Sequence, residues 1–266
     1  MFQAHQPSRQ LQPYIQCYLE ADYKNSLEKG EHTLFPNGLS GIFFNFGNMG
    51  KLIIKEEYKT PFVSVFGQID RHFSILHWPG FYSLGVLMRP TVLSKLLRVD
   101  MAEFTNKAFE GNLIRQDFSF LYQQLEEVNS IKKKITLIEH FFSKALAGID
   151  NRLTITDKAL HQLSLHGNIP ISKLSHHLGI SDRYLEMNFK RSVGLSPKTY
   201  SLILRFKRIE QQLKNSCVPS WKDLSFVNEF HDQNHFIKDF KRFTGMNPSA
   251  YLLNNVEMGR SYLAAH

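Results

Sequence analysis

One stretch of this chain is written twice, and that repeat constrains the fold more than any other feature. FKRSVGLSPKTY (residues 189–200) and FKRFTGMNPSAY (240–251) share Phe, Lys, Arg, Gly, Pro and Tyr at an offset of 51. Recurrence at a fixed spacing calls for one supersecondary unit used twice. Each shared residue has a mechanical reading. The Phe ends the buried face of a helix, and the Lys-Arg pair sits in that helix's last turn, where cations suit the dipole. The Gly accepts the left-handed backbone that closes a helix. Ser196-Pro197 and Asn247-Pro248 then supply an N-cap followed by proline at the first helical position. Tyr200 and Tyr251 anchor the helix so begun.

Upstream of each copy the same grammar continues. ISKLSHHL (171–178) is a short amphipathic helix with Ile171, Leu174, Ser175 and Leu178 inward. Gly179-Ile180 makes a tight turn, and Ser181 caps a second helix running through Arg191. In the second copy WKDLSFVN (221–228) is the first helix, Glu229-Phe230 the turn and Asp232 the cap. A short helix, a turn and a capped second helix make a helix-turn-helix unit, whose second helix enters the major groove of DNA. A linking helix of about 16 residues joins the two units, with Leu202, Phe206, Ile209 and Leu213 on its buried stripe and its cations on the other. Ahead of both, Thr154 and Asp157 form a capping box opening a helix that ends near His166 and Gly167.

Charge divides in the same place. Of the net +8, residues 151–266 carry +7 and residues 1–150 only +1. An electrostatically neutral half joined to a basic one points to a polyanionic partner for the latter. The two cysteines, Cys17 and Cys217, fall one in each half, which excludes a disulfide framework or a cysteine-rich zinc site and makes a reducing cytoplasm the expected setting. No run approaches the roughly 18 apolar residues of a membrane span, and the opening residues lack a secretory apolar stretch.

The first 150 residues read as strands and then helices. Short β-branched and aromatic runs at 41–46, 51–55, 62–66, 73–78 and 82–88 alternate with turn-prone stretches such as PNGLSG and Pro79-Gly80. Strands of this length and spacing favour a small barrel or sandwich. After Pro90 the period becomes helical: Phe118, Leu121, Leu125 and Val128 share one stripe, and Ile131, Ile135, Ile138, Phe142 and Ala145 another. The fold class is therefore α+β: an N-terminal domain (1–150) of strands to about residue 90 with helices after, and an all-α domain (151–266). The boundary falls near 148–153.

Residues 155–255 resemble the DNA-binding domain of the AraC/XylS regulators. The stretch EFHDQNHFIKDFKRFTGMNPSAY (229–251) follows that family's pattern, in which a glycine, an aspartate, a histidine-phenylalanine pair and the G-x-x-P-x-x-Y ending recur. It departs from the pattern at Glu229, in place of the turn glycine, and at Lys238, where the family has arginine and its fork of donors. More faintly, residues 34–38, 66–68 and 85–90 resemble cupin-like sensor domains found ahead of such regulators. The resemblance implies a sequence-specific transcription regulator that binds promoter or operator double-stranded DNA. It also implies a small-molecule effector on the N-terminal domain, a homodimer and, for an activator, a contact with RNA polymerase.

On that resemblance the base-reading residues are Arg183, Glu186 and Met187 in the first module and Gln233, Asn234, His235 and Lys238 in the second. Arg pairs with guanine, Gln or Asn with adenine, and Glu accepts from cytosine. Lys190, Arg191, Arg205, Arg208, Lys241 and Arg242 are the expected phosphate contacts. Phe43, Phe46, Arg71 and Trp78 are candidates for an effector pocket, although the aromatics serve equally well as ordinary core. His32, His72 and His77 lack the His-x-His plus Glu spacing of a metal cupin, so no metal, cofactor or catalytic residue is expected. Two other classes differ from this one in what they require. A cupin-type enzyme lacks its histidine cluster, and a sequence-tolerant DNA-architectural protein differs by binding chosen and random sites alike.

Overall fold

A computed structural model describes residues 2–54, 56–150, 152–166, 169–215 and 233–253. Ten strands form two antiparallel sheets. The larger has the order β1 (Phe2–His5), β2 (Ile15–Tyr23), β9 (Phe81–Met88), β4 (Ser40–Phe46), β7 (Val63–Phe66) and β10 (Ala108–Glu110). The smaller runs β3 (Gly30–Leu34), β8 (Phe73–His77), β5 (Lys51–Ile53) and β6 (Glu57–Lys59). Five of these strands coincide with the expected runs. β1, β2, β3, β6 and β10 were not foreseen, and β10 corrects the reading that the chain turns wholly helical after Pro90: it returns to pair with β7.

The larger sheet is buried on both faces, which its two-residue side-chain period makes possible. Ile42, Phe44, Tyr82, Leu84, Val86 and Met88 point one way, into a core shared with Phe118, Leu121, Ile138 and Phe142. Those last residues come from α3 (Asp117–Glu126) and α4 (Ile131–Ala147), which follow α1 (Val92–Leu97), a 3-10 turn (Met101–Phe104) and α2 (Gly111–Ile114). The alternate positions, Gly41, Phe43, Phe81, Ser83 and Leu87, face the smaller sheet. At Gly85 a Cβ would lie 2.4 Å from the Phe43 ring, so glycine is what lets that ring lie across β9.

The C-terminal part is helical throughout its described residues. Helix α5 (Ile155–His166) opens on the expected capping box: Asp157 accepts from the Thr154 backbone at 2.9 Å, and Thr154 Oγ1 accepts from the Asp157 backbone at 3.1 Å. Asp157 also takes the Lys95 ammonium at 2.8 Å and the Thr91 hydroxyl at 2.6 Å, which ties α5 to α1. Burial would raise the Asp157 carboxyl, but these donors outweigh it and hold the group below its usual range.

Helix α6 (Ile171–His177) buries Leu174 and Ser175, Gly179 turns with φ +68°, and Ser181 caps α7 (Asp182–Val193) by accepting from the Tyr184 backbone at 3.2 Å. Gly194 (φ +97°) and Gly245 (φ +78°) both stop their helices in the left-handed conformation. Each donates its N–H to a lysine carbonyl four residues back at 2.8 Å. Ser196 and Asn247 cap the helices that follow, α8 (Pro197–Asn215) and α10 (Pro248–Leu253). Between them lies α9 (Gln233–Thr244). The expected first helix of the second module, with its turn and the cap at Asp232, lies outside the described residues.

Helix α8, at 19 residues, is longer than expected and buries Ile203, Phe206 and Ile209. Phe206 is its hub, 5.6 Å from Phe240, 5.3 Å from Phe243 and 6.0 Å from Phe35 by ring centroid. Phe35 belongs to the loop after β3, yet it is 3% exposed within the helical core. We predict that Phe35→Ala lowers stability by about 3–5 kcal/mol. Because the ring joins the two parts, thermal unfolding should split from one transition into two; a single transition of unchanged midpoint would contradict this packing.

Candidate nucleic-acid interface and effector cavity

The outer face of α7 carries the first set of expected DNA contacts. Its apolar residues Leu185, Phe189 and Val193 are buried at helical spacing, which leaves Arg183, Glu186, Met187, Lys190 and Arg191 exposed on the opposite side. Met187 is 58% exposed on this face. Tyr184, 46% exposed on the same face, was missed by the sequence reading. Its signal was available: it lies three residues before Met187 and one turn before Asn188, whose side-chain amide donates to its carbonyl at 2.8 Å.

Helix α9 repeats the pattern. Phe236, Phe240 and Phe243 are buried, while Asn234, Lys238 and Lys241 are exposed. The side chains of Gln233 and His235 lie outside the described residues. Three of the expected phosphate contacts sit elsewhere than the sequence suggested. Arg205 is 7% exposed, on the buried side of α8 next to Phe206 and one turn from Ile209. Arg208 is partly buried and donates to the Ser164 carbonyl at 3.2 Å, near the end of α5.

Arg242 is engaged by the N-terminal part. Its guanidinium meets the Asp70 carboxylate at 2.5 Å and the Asp70 carbonyl at 3.1 Å. Asp70 is also held by Arg71 at 2.9 Å. Burial pushes the Asp70 carboxyl up, but hydrogen bonds and charge from Arg71 and Arg242 prevail and hold it below the carboxylate range. His72 completes the contact: its backbone N–H donates to the Arg242 carbonyl at 3.3 Å, and its ring lies against Gly245. At the equivalent point of the first module, the Thr105 hydroxyl donates to the Gly194 carbonyl.

A cavity of about 70 Å³ lies between the two sheets. Phe43, Phe66, Phe73 and Ile75 line it, with the loop of residues 35–39 and with Tyr23, His32 and His77. Of the expected pocket residues only Phe43 is there. Phe46 lies three residues along β4, hence on the opposite face, where it stacks on Tyr122 at 5.1 Å under the Lys134 ammonium. Trp78 sits between the ammonium groups of Lys29 and Lys51, at 5.4 and 5.8 Å, and Arg71 belongs to the Asp70 contact.

The histidines group in a way their spacing did not suggest. His32 on β3 and His77 on β8 come within 3.1 Å of each other, Nε2 to Nε2, and Tyr23 stacks on His77 at 3.7 Å. Burial, and then the neighbouring His77, push His32 down to about 4, and burial lowers His77 as well. Both rings are therefore neutral at pH 7. Among the described residues no group of three or more His, Cys, Asp or Glu could hold a metal ion, and no helix is long and apolar enough to cross a membrane.

Residues 174–254 match the family model of a helix-turn-helix domain, and residues 3–110 match a domain of unknown function (DUF6597). No curated protein matches the chain. Among solved structures, ToxT from Vibrio cholerae O395 bound to (E)-4-(8-methylnaphthalen-1-yl)but-3-enoic acid is 15% identical, with 95% of this chain and 98% of that one aligned and a TM-score of 0.49. ToxT from Vibrio cholerae strain SCE256 bound to an unsaturated fatty acid is 17% identical over 85% and 94% of the two chains, with a TM-score of 0.45. An AraC-type regulator from Chromobacterium violaceum is 21% identical over 40% of this chain and 95% of its own, with a TM-score of 0.35. The helix-turn-helix match covers α7 to α10, the segment whose caps and exposed basic faces were built up above, and that part of the chain is a helix-turn-helix domain.

Proposed function

We propose that this regulator reads DNA through α7 and α9 and is controlled by a small molecule held between its two sheets. The observation that carries the control step is the position of the loop at residues 35–39. One side of it walls the cavity, and the other packs into the helical core: Phe35 meets Phe206 and Tyr251, each at 6.0 Å, and the Tyr200 hydroxyl donates to the Gly38 carbonyl at 3.5 Å. A ligand that parts the cavity walls therefore shifts groups on which both modules rest. The reading divides the chain at residues 150 and 151, after α4, and includes a homodimer and, for activation, a contact with RNA polymerase, in the cytoplasm where the DNA is.

In this reading Arg183, Glu186 and Met187 meet base edges from α7, and Asn234 and Lys238 do so from α9, with Gln233 and His235 assigned to the same role. Lys190, Arg191 and Lys241 meet phosphates. Arg205 is left out because it is buried, and Arg242 is withheld by Asp70 until the two parts separate.

A helix of 19 residues spans about 28 Å at 1.5 Å per residue, so the two modules reach major-groove segments about 34 Å apart, one helical turn. Footprinting should show two protected segments at that spacing; a single segment would make one module purely structural.

Base and phosphate contacts should fail differently. Lys238→Ala should cost about 1–3 kcal/mol at the selected site and relax its sequence preference. Lys241→Ala should weaken selected and scrambled DNA alike and reduce the salt slope by about one unit. Affinities at three salt concentrations distinguish them, and equal losses for Lys238→Ala on both DNAs would remove it from the reading set.

Releasing Arg242 should have the opposite sign. Asp70→Asn frees a cation for the phosphate backbone, so affinity should rise and the salt slope steepen by about one unit. Unchanged affinity and slope would mean that the Asp70 contact only fixes geometry.

A further inference from the structure

Met187 occupies the middle of the outward face of α7, and its surroundings say which base it meets, an inference that rests on reading α7 as a helix of the major groove. It is two residues from Leu185 and two from Phe189, both buried, so at about 100° per residue it lies about 200° round the helix from either. Its neighbours one turn away, three and four residues to each side, are Arg183, Tyr184, Lys190 and Arg191, and all four are exposed. Three of them are cations, which complement the phosphates and guanine edges of a groove. Tyr184 instead extends the apolar surface of Met187 with its ring. The thioether at the centre donates nothing and accepts weakly, so it cannot hydrogen-bond a base edge as Arg, Gln or Asn does.

We propose that Met187 and Tyr184 read a thymine through its C5-methyl group, the apolar group that base edges present in the major groove. Opposite a guanine, adenine or cytosine the same spot would strip water from a donor or acceptor and return no hydrogen bond, which disfavours those bases. The repeat carries the point further. At its offset of 51, Met187 corresponds to Lys238 of α9, also exposed, and lysine bonds the O6 and N7 acceptors of guanine. Corresponding steps under the two modules therefore hold different bases, thymine under α7 and guanine under α9. The two halves of the site are not copies of each other, and the chain lies on it in one direction only.

The test uses the full-length protein and a duplex selected from random sequence, each of whose thymines is replaced in turn by deoxyuridine, which lacks only the methyl. At one step deoxyuridine should bind about fourfold more weakly, the worth of one buried carbon group. The comparison is made within each variant, so a change in overall affinity does not disturb it. In Met187→Ala the two duplexes should bind alike, and in Tyr184→Ala the difference should shrink. Met187→Lys, which copies the second module, should make guanine the preferred base at that step. Three results would each overturn the proposal in a protein that still protects two segments: no step sensitive to deoxyuridine, a difference undiminished in Met187→Ala or Tyr184→Ala, or thymine still preferred by Met187→Lys. A footprint of one segment, with an affinity that Met187→Ala leaves unchanged, would instead overturn the reading that α7 enters the groove, and the thymine assignment with it.

Discussion

The burial of Phe35 in the helical core is the contact on which the rest of this molecule turns. The ring belongs to the loop after β3, and it fills a space bounded by Phe206 of α8 and Tyr251 of α10. Phe206 in turn carries Phe240 and Phe243 of α9. Part of the helical core is thus lent by the N-terminal part. The two parts cannot separate without exposing an aromatic side chain, and cannot stay together without fixing α8, α9 and α10. Because the same loop walls the cavity, packing alone links the cavity to the DNA-facing helices, with no long chain of intermediaries required.

Polarity inside the larger sheet is arranged with the same economy. On the helix-facing side Glu20 is 9% exposed, yet its carboxylate accepts from the Tyr82 hydroxyl at 2.9 Å and meets His5 Nε2 at 3.0 Å. Lys134 is buried there too, donating to the Leu125 carbonyl and lying over the Phe46 ring at 4.4 Å. On the cavity side there is no such charge. Two faces of one sheet thus have opposite characters, one holding hydrogen-bonded Glu20 and Lys134 against helices and the other groups without formal charge against a small void.

These pairings explain what could be read from sequence and what could not. The repeat at 189–200 and 240–251, the capping box at Thr154 and Asp157, and the cap at Ser181 are local devices, acting over three to five residues, and each sits where it was expected. β2 does alternate apolar residues (Ile15, Cys17, Leu19, Ala21) with Gln16, Tyr18, Glu20 and Asp22, so its existence was legible, but not the burial of Glu20, which the distant Tyr82 and His5 make tolerable. Phe46 was assigned to the pocket because parity along β4 was not applied: Phe43 and Phe46 cannot share a face three residues apart. His32 and His77 were set aside because their separation in sequence is 45, whereas pairing of β3 with β8 makes them neighbours. Arg205 was placed among the exposed cations because helical periodicity gives the buried stripe of α8 but not its width.

The repeat encodes more than two DNA-reading units. Gly194 and Gly245 are equivalent, and so are Tyr200 and Tyr251; all four touch the N-terminal part. Gly194 meets Met101 and Thr105, Gly245 meets His72, the Tyr200 hydroxyl lies 3.5 Å from the Gly38 carbonyl, and Tyr251 packs on Phe35. The glycines serve twice, since the left-handed turn that ends each recognition helix also leaves no side chain, which allows a neighbouring element to approach the backbone closely. A Cβ at Gly194 would lie 2.8 Å from the Met101 carbonyl, and one at Gly245 would lie 3.0 Å from the His72 ring. Two modules docked through corresponding residues are held at a set angle to each other by a single rigid body. A shift of that body, or of the loop between its cavity and Phe35, changes the relation between the modules rather than either one alone.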